Sequence, residues 1–123
     1  MTKKILVIDD DSAIQQVIKS SLVPEGYDVR TADNGQAGLD LVKEFQPDVI
    51  MLDIMMPVMG GFDFLKQNKE STIPVIVLSS LGQDGNEEKV KALGVKYFLQ
   101  KDNIHIDDIK KLISNILNSA PKQ

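Results

Sequence analysis

Five polar residues of this chain come directly after short apolar runs, and their side chains could together bind a metal ion and a phosphoryl group. They are Asp9 and Asp10 after ILVI, Asp53 after DVIML, Ser79 after PVIVL, and Lys101 after KYFLQ. Short apolar runs bounded by turn residues are typical of buried parallel strands. The polar residues are therefore expected at the carboxyl ends of strands, the edge at which open α/β sheets bind ligands.

The carboxylates of this set indicate a site for a hard cation. Like charges this close raise one another's pKa or require a cation between them. Because no His or Cys accompanies the oxygen ligands, the sequence favours Mg²⁺, with Mn²⁺ as the second choice. Only one residue can cap the following helix, and Asp11 is expected to do so, with Ser12 as the competing cap. Asp9, Asp10 and Asp53 are left as the predicted metal ligands.

Asp53 is the strongest candidate for a nucleophile. It ends an apolar run that should be fully buried, and Lys101 at the end of the last strand could reach across to it or to a group attached to it. The hydroxyl of Ser79 could donate a hydrogen bond to the same group. A carboxylate, a cation, a hydroxyl and an ammonium are the parts needed to transfer a phosphoryl group to an aspartate, because the cations neutralise charge on the transferred oxygens.

Strand-like and helix-like segments alternate five times along the chain, which predicts an α/β fold with five βα units. Ser12 and Gln15 resemble a capping box for the first helix, Asn34 can cap the second, and Pro47 bars its continuation. Parallel strands joined by helical crossovers place helices on both faces of one sheet. The prediction is a (βα)5 three-layer sandwich.

Composition limits the class of protein. A chain of 123 residues predicts a single domain, with a core over about residues 3–118 and a frayed tail over 119–123. The net charge is −4 without a run of Lys or Arg, so direct binding to nucleic acid or to a membrane is not expected. The chain contains no cysteine, and its first residues lack a signal-peptide core. These features predict a cytoplasmic protein.

The order and spacing of these motifs resemble a response regulator receiver domain of two-component signalling, similar to a chemotaxis regulator. The resemblance covers Lys3 to about Leu117. It rests on IDDD, LDIMMPVMGG, PVIVLSS and ALGVKYFLQK. It implies a flavodoxin-like parallel sheet in the strand order 2-1-3-4-5. It also implies that Asp53 accepts a phosphoryl group from a sensor histidine kinase or a phosphotransfer protein, with no catalysis beyond its own phosphorylation and dephosphorylation.

The same resemblance assigns further roles. Asp9, Asp10, Asp53 and the backbone carbonyl of Met55 would hold Mg²⁺. Ser79 and Lys101 would bind the phosphoryl oxygens, and Phe98 would rotate inward as the face made by the fourth helix, fifth strand and fifth helix changes. That face would act on a downstream protein partner, or on an effector domain missing from this chain. The chain would be a monomer or a weak, phosphorylation-dependent dimer.

Three departures from the family pattern carry predictions. Asp102 replaces the Pro that usually follows Lys101, and a cis bond there would cost about 2.5–4 kcal/mol. Gly60 stands where Asp is common, which predicts a loosely held start to the third helix. Met55 and Leu81 occupy positions that modulate hydrolysis, and neither side chain can orient a water by hydrogen bonding. A comparatively long-lived phospho-Asp53 is expected.

Two alternatives remain open from the residues. The segment IDDDS also fits the nucleophile motif of haloacid-dehalogenase-type phosphatases, with Asp9 as nucleophile and Asp11 as acid. That activity would need a cap or more sheet than 123 residues supply. The second alternative is a flavodoxin-like interaction module that no longer accepts phosphate. Failure to bind Mg²⁺ or to accept a phosphoryl group would support it.

Overall fold

A computed structural model describes residues 2–54, 56, 58–69, 71–79, 86–101 and 105–119, and for residues 79, 86, 87 and 119 it describes the backbone. Five parallel strands form one sheet in the order β2-β1-β3-β4-β5. Their bounds are β1 Lys4–Ile8, β2 Asp28–Ala32, β3 Val49–Asp53, β4 Val75–Ser79 and β5 Tyr97–Gln100. The predicted strand order and parallel sheet are confirmed.

Five α-helices connect and follow the strands: α1 Ser12–Leu22, α2 Gly35–Phe45, α3 Gly61–Gln67, α4 Asn86–Ala92 and α5 Ile106–Ser119. The side chain of Asn34 accepts a hydrogen bond from the backbone N–H of Ala37, so the predicted cap of α2 is confirmed. Before Pro47, α2 ends at Phe45, and Gln46 takes up a left-handed conformation. A turn of 3₁₀ helix, Val23–Glu25, follows α1.

The sheet separates two apolar layers, because successive side chains of a strand point to opposite faces. Ile5 and Val7 of β1 face the layer of α1 and α5, whereas Leu6 and Ile8 face the layer that holds Phe64 of α3. The central strand β3 is buried along its whole length. Burying each large aliphatic side chain contributes about 1.5–3 kcal/mol, so this core fixes the position of the strand ends that carry the polar residues.

One local prediction is wrong. The capping box of Ser12 and Gln15 does not form, because the side chain of Asp11 accepts the backbone N–H groups of Ala13 and Ile14 at the start of α1. At the start of α3, Gly61 is buried against the end of β3 and Gly60 makes no side-chain capping hydrogen bond, so the loosely held start stays a prediction. In the part of the chain that the structure describes, no helix has both the length and the apolar character needed to cross a membrane.

Candidate functional site

The register of the two central strands places Asp9 and Asp53 side by side. Ile8 of β1 pairs with Leu52 of β3, and each aspartate is the next residue of its chain. Both side chains lie at the carboxyl edge of the sheet, as the sequence predicts. Asp9 is fully buried and Asp53 is 4% exposed, whereas Asp10 points to solvent. We call the group formed by Asp9, Asp10, Asp53 and Lys101 the acidic pocket.

Lys101 bridges the two buried carboxylates. Its Nζ lies 3.0 Å from Oδ2 of Asp53 and 3.1 Å from each carboxylate oxygen of Asp9. The Lys101 side chain is 15% exposed, so it reaches this position from the end of β5 with most of its length covered. The predicted approach of Lys101 to Asp53 is confirmed, and its contact with Asp9 adds a partner that the sequence did not reveal.

The charges of the pocket shift one another's protonation. Burial raises the pKa of the Asp9 carboxyl above its ordinary value of 3.8, and the nearby Asp10 adds to the rise, against hydrogen bonds from Asp11 and Lys101. Burial alone would lower the pKa of the Lys101 ammonium. The hydrogen bonds to Asp53 and Asp9 and the negative charges of these two carboxylates together outweigh burial, so this pKa lies above its ordinary 10.5. The fold therefore keeps Lys101 charged while it disfavours the charge on Asp9.

One carboxylate oxygen of the pocket has an incomplete set of partners. Oδ1 of Asp9 accepts hydrogen bonds from the Asp11 backbone N–H at 2.8 Å and from Lys101. Oδ2 of Asp9 lies within ion-pair distance of Lys101 but is buried without accepting a hydrogen bond. Buried polar atoms are ordinarily hydrogen-bonded, and each exception needs an explanation such as an ion.

The donor set around this oxygen fits a hard divalent cation. One carboxylate oxygen from each of Asp9, Asp10 and Asp53 lies within 4.8 Å of the others. The three carboxylates offer oxygen ligands alone, which suit Mg²⁺ and its preference for a few carboxylates completed by water. Because Asp10 is exposed, the site is open to solvent on one side, where such waters and a phosphoryl group can enter.

Gln15 fixes the turn that carries Asp9, a role that the sequence did not reveal. Its Nε2 donates to the backbone carbonyl of Asp9 and to Oδ1 of Asp33 at 2.8 Å, and it lies 3.3 Å from the Ala32 carbonyl. The side chain thereby ties α1 to the ends of β1 and β2. The sequence pattern places Gln15 on a helix, but it does not indicate that the side-chain amide turns back toward a strand end.

Gly61 holds the other side of the pocket in place. Its backbone N–H donates to the Ile54 carbonyl at 2.8 Å. A Cβ at Gly61 would lie 2.7 Å from the Cα of Ile54 and 2.8 Å from the carbonyl oxygen of Asp53, closer than side chains can approach backbone. Glycine is thus required here by the close approach of α3 to the strand that carries Asp53.

Some of the remaining predicted site residues lie outside the residues that the structure describes. Ser79 ends β4 opposite Gln100, one position before Lys101, and its side chain is not among those described. Met55, Leu81 and the Lys101–Asp102 junction also lie outside the described residues. Phe98 is a half-buried residue of β5 packed on the layer of α2 and α3, with Nζ of Lys91 5.7 Å from its ring centroid.

Such a pocket, at the carboxyl edge of a doubly wound sheet ordered β2-β1-β3-β4-β5, defines the flavodoxin-like class of α/β domain. The family model described as the response regulator receiver domain matches residues 5–114. The chain therefore belongs to the response regulator receiver domain family of two-component signalling. The resemblance inferred from the motifs is confirmed.

Curated relatives are longer than this chain. The cell cycle response regulator CtrA of Brucella ovis is 41% identical over 93 residues, and the same identity is found for CtrA of Brucella canis. The match covers 74% of this chain but 39% of the relative's length. This chain thus spans well under half of the curated relatives it matches.

Solved structures share the fold over nearly the whole chain. The receiver domain of the Francisella response regulator 1452 has a TM-score of 0.87 and 31% identity, covering 98% of this chain and all of that one. The chemotaxis protein CheY4 of Vibrio cholerae has a TM-score of 0.86 and 29% identity, over 94% of this chain and 99% of that one. A receiver domain protein from Clostridium thermocellum is 35% identical with a TM-score of 0.85, over 94% of each chain.

Proposed function

We propose that Asp53 is the phosphoacceptor of a cytoplasmic phosphorelay and receives its phosphoryl group from a sensor histidine kinase or a phosphotransfer protein. The observation that carries the proposal is the position of Lys101 Nζ, 3.0 Å from Oδ2 of Asp53 and 3.1 Å from Asp9. A largely covered ammonium between two carboxylates is suited to bind an added phosphoryl oxygen, because it already holds its charge at the site of transfer.

In the transfer step, a carboxylate oxygen of Asp53 forms a bond to phosphorus as the phosphorus–nitrogen bond of the donor phosphohistidine breaks. The donor imidazole keeps the bonding electron pair and takes up a proton. Lys101 stabilises the charge on the transferred oxygens, and the hydroxyl of Ser79 donates a hydrogen bond to one of them. The product is an aspartyl phosphate on a domain that catalyses only its own phosphorylation and dephosphorylation.

Asp9, Asp10 and Asp53, with the backbone carbonyl of Met55, would hold Mg²⁺ beside the acceptor. Oδ2 of Asp9, which is buried near Lys101 but accepts no hydrogen bond, supports this assignment. A bound Mg²⁺ would neutralise charge on the phosphoryl oxygens, and Mn²⁺ has a similar enough preference for oxygen to replace it. The carboxylate of Asp11 is committed to capping α1, which counts against its use as the acid of a phosphatase.

Phosphorylation would change the face of α4, β5 and α5 through Ser79 and Phe98. Phe98 is half-buried at an edge strand, so an inward ring position is a change of packing and requires no unfolding. The phosphoryl group changes the populations of the two Phe98 ring positions only by as much as its interaction free energy differs between them. The output would be a contact with a downstream protein or with an effector domain on a longer chain, by a monomer or a weak phosphorylation-dependent dimer.

The test is intact-mass spectrometry after incubation with acetyl phosphate, with and without Mg²⁺. The wild-type chain is expected to gain one phosphoryl group in Mg²⁺ and none after chelation. Asp53→Asn should gain none, whereas Asp40→Asn on the exposed face of α2 should behave as the wild type. A wild-type chain that takes up no phosphate in Mg²⁺ would contradict the proposal and favour the interaction module.

A slow loss of the phosphoryl group is the remaining part of the proposal. Met55 and Leu81 cannot orient an attacking water through a side-chain hydrogen bond. Phospho-Asp53 is therefore expected to persist well beyond seconds after the donor is removed, as followed by the decay of the added mass. A half-life of seconds would show that another group positions the water.

A further inference from the structure

Two adjoining cavities lie away from the acidic pocket, the first between α3 and α4 and the second between the carboxyl end of α3 and the residues that follow α4. The first, about 450 Å³, is lined by Phe62 and Lys66 of α3 and by Lys89, Ala92 and Leu93 at α4. The second, about 350 Å³, continues from the carboxyl end of α3 to the amino ends of β4 and β5 and is also lined by Leu93. We call the two together the α3–α4 groove. Both cavities lie in the size range of ligand sites in proteins, which is about 300–1,000 Å³.

The α3–α4 groove is positively charged on a protein that is negative overall. Lys66 and Lys89 line its first cavity, and Lys69 and Lys96 line its second. None of the described residues that line either cavity is Asp or Glu, although the chain has 18 acidic residues against 14 basic ones. A local excess of one charge attracts ligands of the opposite charge and repels those of its own.

Apolar surface lies between these lysines. Nζ of Lys89 is 5.7 Å from the ring centroid of the half-buried Phe62, and Leu93 is half-buried where the two cavities meet. Tyr97 and Ile73 contribute further partly buried surface to the second cavity. Lysine stems cover apolar surface while their ammonium groups stay in water. The groove therefore offers apolar contacts along its floor and positive charge along its rims.

This combination selects an amphipathic acidic ligand over a simple anion. A free phosphate would use the lysines and leave Phe62 and Leu93 uncovered. A nucleic acid would meet the net charge of −4 of the whole chain. A helical peptide places apolar side chains along one stripe about 5–6 Å apart, with carboxylates on either side. Each of the two cavities offers apolar surface to one such anchor.

We propose that the α3–α4 groove docks an acidic amphipathic segment of a partner protein. The groove includes Lys89 of α4 and Tyr97 of β5, so it shares elements with the proposed output face, but it also uses α3, which that face does not include. The docking requires no phosphorylation of Asp53, so its success or failure is separate from that of the proposed phosphotransfer. The apolar anchors fill the two cavities, and carboxylates of the segment pair with lysines of both cavities.

The probe is a synthetic 14-residue helical peptide of Leu, Ala and Glu, with Leu at every fourth position. Its controls are the same peptide with Gln for Glu and the same peptide with Ser for Leu. Binding to the full chain is measured by fluorescence anisotropy, and the site by ¹H–¹⁵N chemical-shift perturbation. The perturbed amides are expected in 62–69 and 89–97, with both control peptides binding much more weakly.

The protein variants separate the groove from general electrostatics. Lys66→Gln with Lys89→Gln should weaken binding of the Leu–Glu peptide by about fivefold, as expected for two exposed ion pairs. Lys3→Gln with Lys43→Gln removes the same charge from exposed positions outside the groove and should leave the Kd unchanged within twofold. Equal weakening by both pairs, shifts outside the groove, or equal binding of the Gln peptide would overturn the proposal.

Discussion

The acidic pocket and the α3–α4 groove treat charge in opposite ways. In the pocket, Asp9 and Asp53 are buried at strand ends and share one largely covered ammonium. In the groove, Lys66 and Lys89 stand on two helices and are exposed, as are Lys69 and Lys96 in the segments that follow these helices. Removing a charge from water costs several kcal/mol, whereas an exposed charge costs little. Exposed lysines therefore cost the fold little stability. The buried carboxylates of the acidic pocket cost it more, so their presence requires a functional explanation.

The two regions also differ in how firmly the backbone is held. The pocket lies over β1 and β3, whose apolar side chains are all essentially without solvent exposure. In contrast, Val90 is the one fully covered side chain among the described side chains of α4. Regions with few buried contacts open at lower free energy than the core. The pocket is thus held by more buried contacts than α4 is.

Removal of the bridging ammonium should give the largest effect. Lys101→Met leaves two buried carboxylates without their shared partner, and the free energy of unfolding should fall by about 3 kcal/mol in urea denaturation without Mg²⁺. The matched control is Lys110→Met, which breaks an exposed pair with Glu25 at 3.4 Å and should cost about 1 kcal/mol or less. Equal losses for both variants would erase the contrast between buried and exposed charge.

A methyl group added beside β3, the strand that carries Asp53, should have the next largest effect on stability. Gly61→Ala places a Cβ against Ile54 and the Asp53 carbonyl, and overpacking of this kind costs about 1–3 kcal/mol. Gly60→Ala is the neighbouring control. Its φ of −79° suits any residue, and its added Cβ would lie 3.1 Å from the Ile54 carbonyl oxygen, a tight contact but a smaller overlap than at Gly61. Thermal unfolding should show a clearly lower midpoint for Gly61→Ala than for Gly60→Ala. Equal midpoints would mean that this side of the pocket yields easily.

Neutralising Asp9 should stabilise the apo protein slightly. Because its pKa is raised in the folded state, the stabilising contribution of this group is complete below the unfolded value of 3.8 and is lost as pH rises through the folded pKa. Because the raised pKa disfavours the charged carboxylate, Asp9→Asn is expected to have a higher free energy of unfolding than the wild type at neutral pH. Asp10→Asn, at an exposed position, should change it less. Urea unfolding of both variants at neutral pH provides the measurement.

The same variants test the cation site with the opposite sign. Mg²⁺ that binds only the folded state raises the stability of the wild type in proportion to the logarithm of its concentration. Asp9→Asn should lose most of that rise while remaining the more stable chain without Mg²⁺. A destabilised Asp9→Asn that still responds fully to Mg²⁺ would show that Asp9 is neither strained by its burial nor a ligand.

The sequence predicts the strand ends well because their signal is local. Asp9 and Asp53 each end an apolar run, and a parallel sheet must bring such ends together at one edge. The reach of Lys101 to Asp53 follows from the same placement. The roles of Gln15 and Gly61 do not, because they depend on how a helix lies against a strand end. A side chain that turns back and a backbone that approaches closely leave no periodic pattern.

The α3–α4 groove shows the same limit at longer range. Lys66 and Lys89 are far apart in sequence, and each alone is typical of a solvated helix face. They line one cavity only because α3 and α4 lie on the same face of the sheet. The sequence places Ser79 at a strand end, but the switching roles of Ser79 and Phe98 come from the family resemblance alone and stay predictions.

The most direct test of the central claim is to identify the residue that carries the phosphoryl group. After loading with acetyl phosphate in Mg²⁺, borohydride reduces an aspartyl phosphate to homoserine, which marks the modified position. Peptide mapping by mass spectrometry is expected to find homoserine at position 53 and nowhere else in the chain. Homoserine at position 9, with Asp53 intact, would contradict the account and restore the phosphatase alternative.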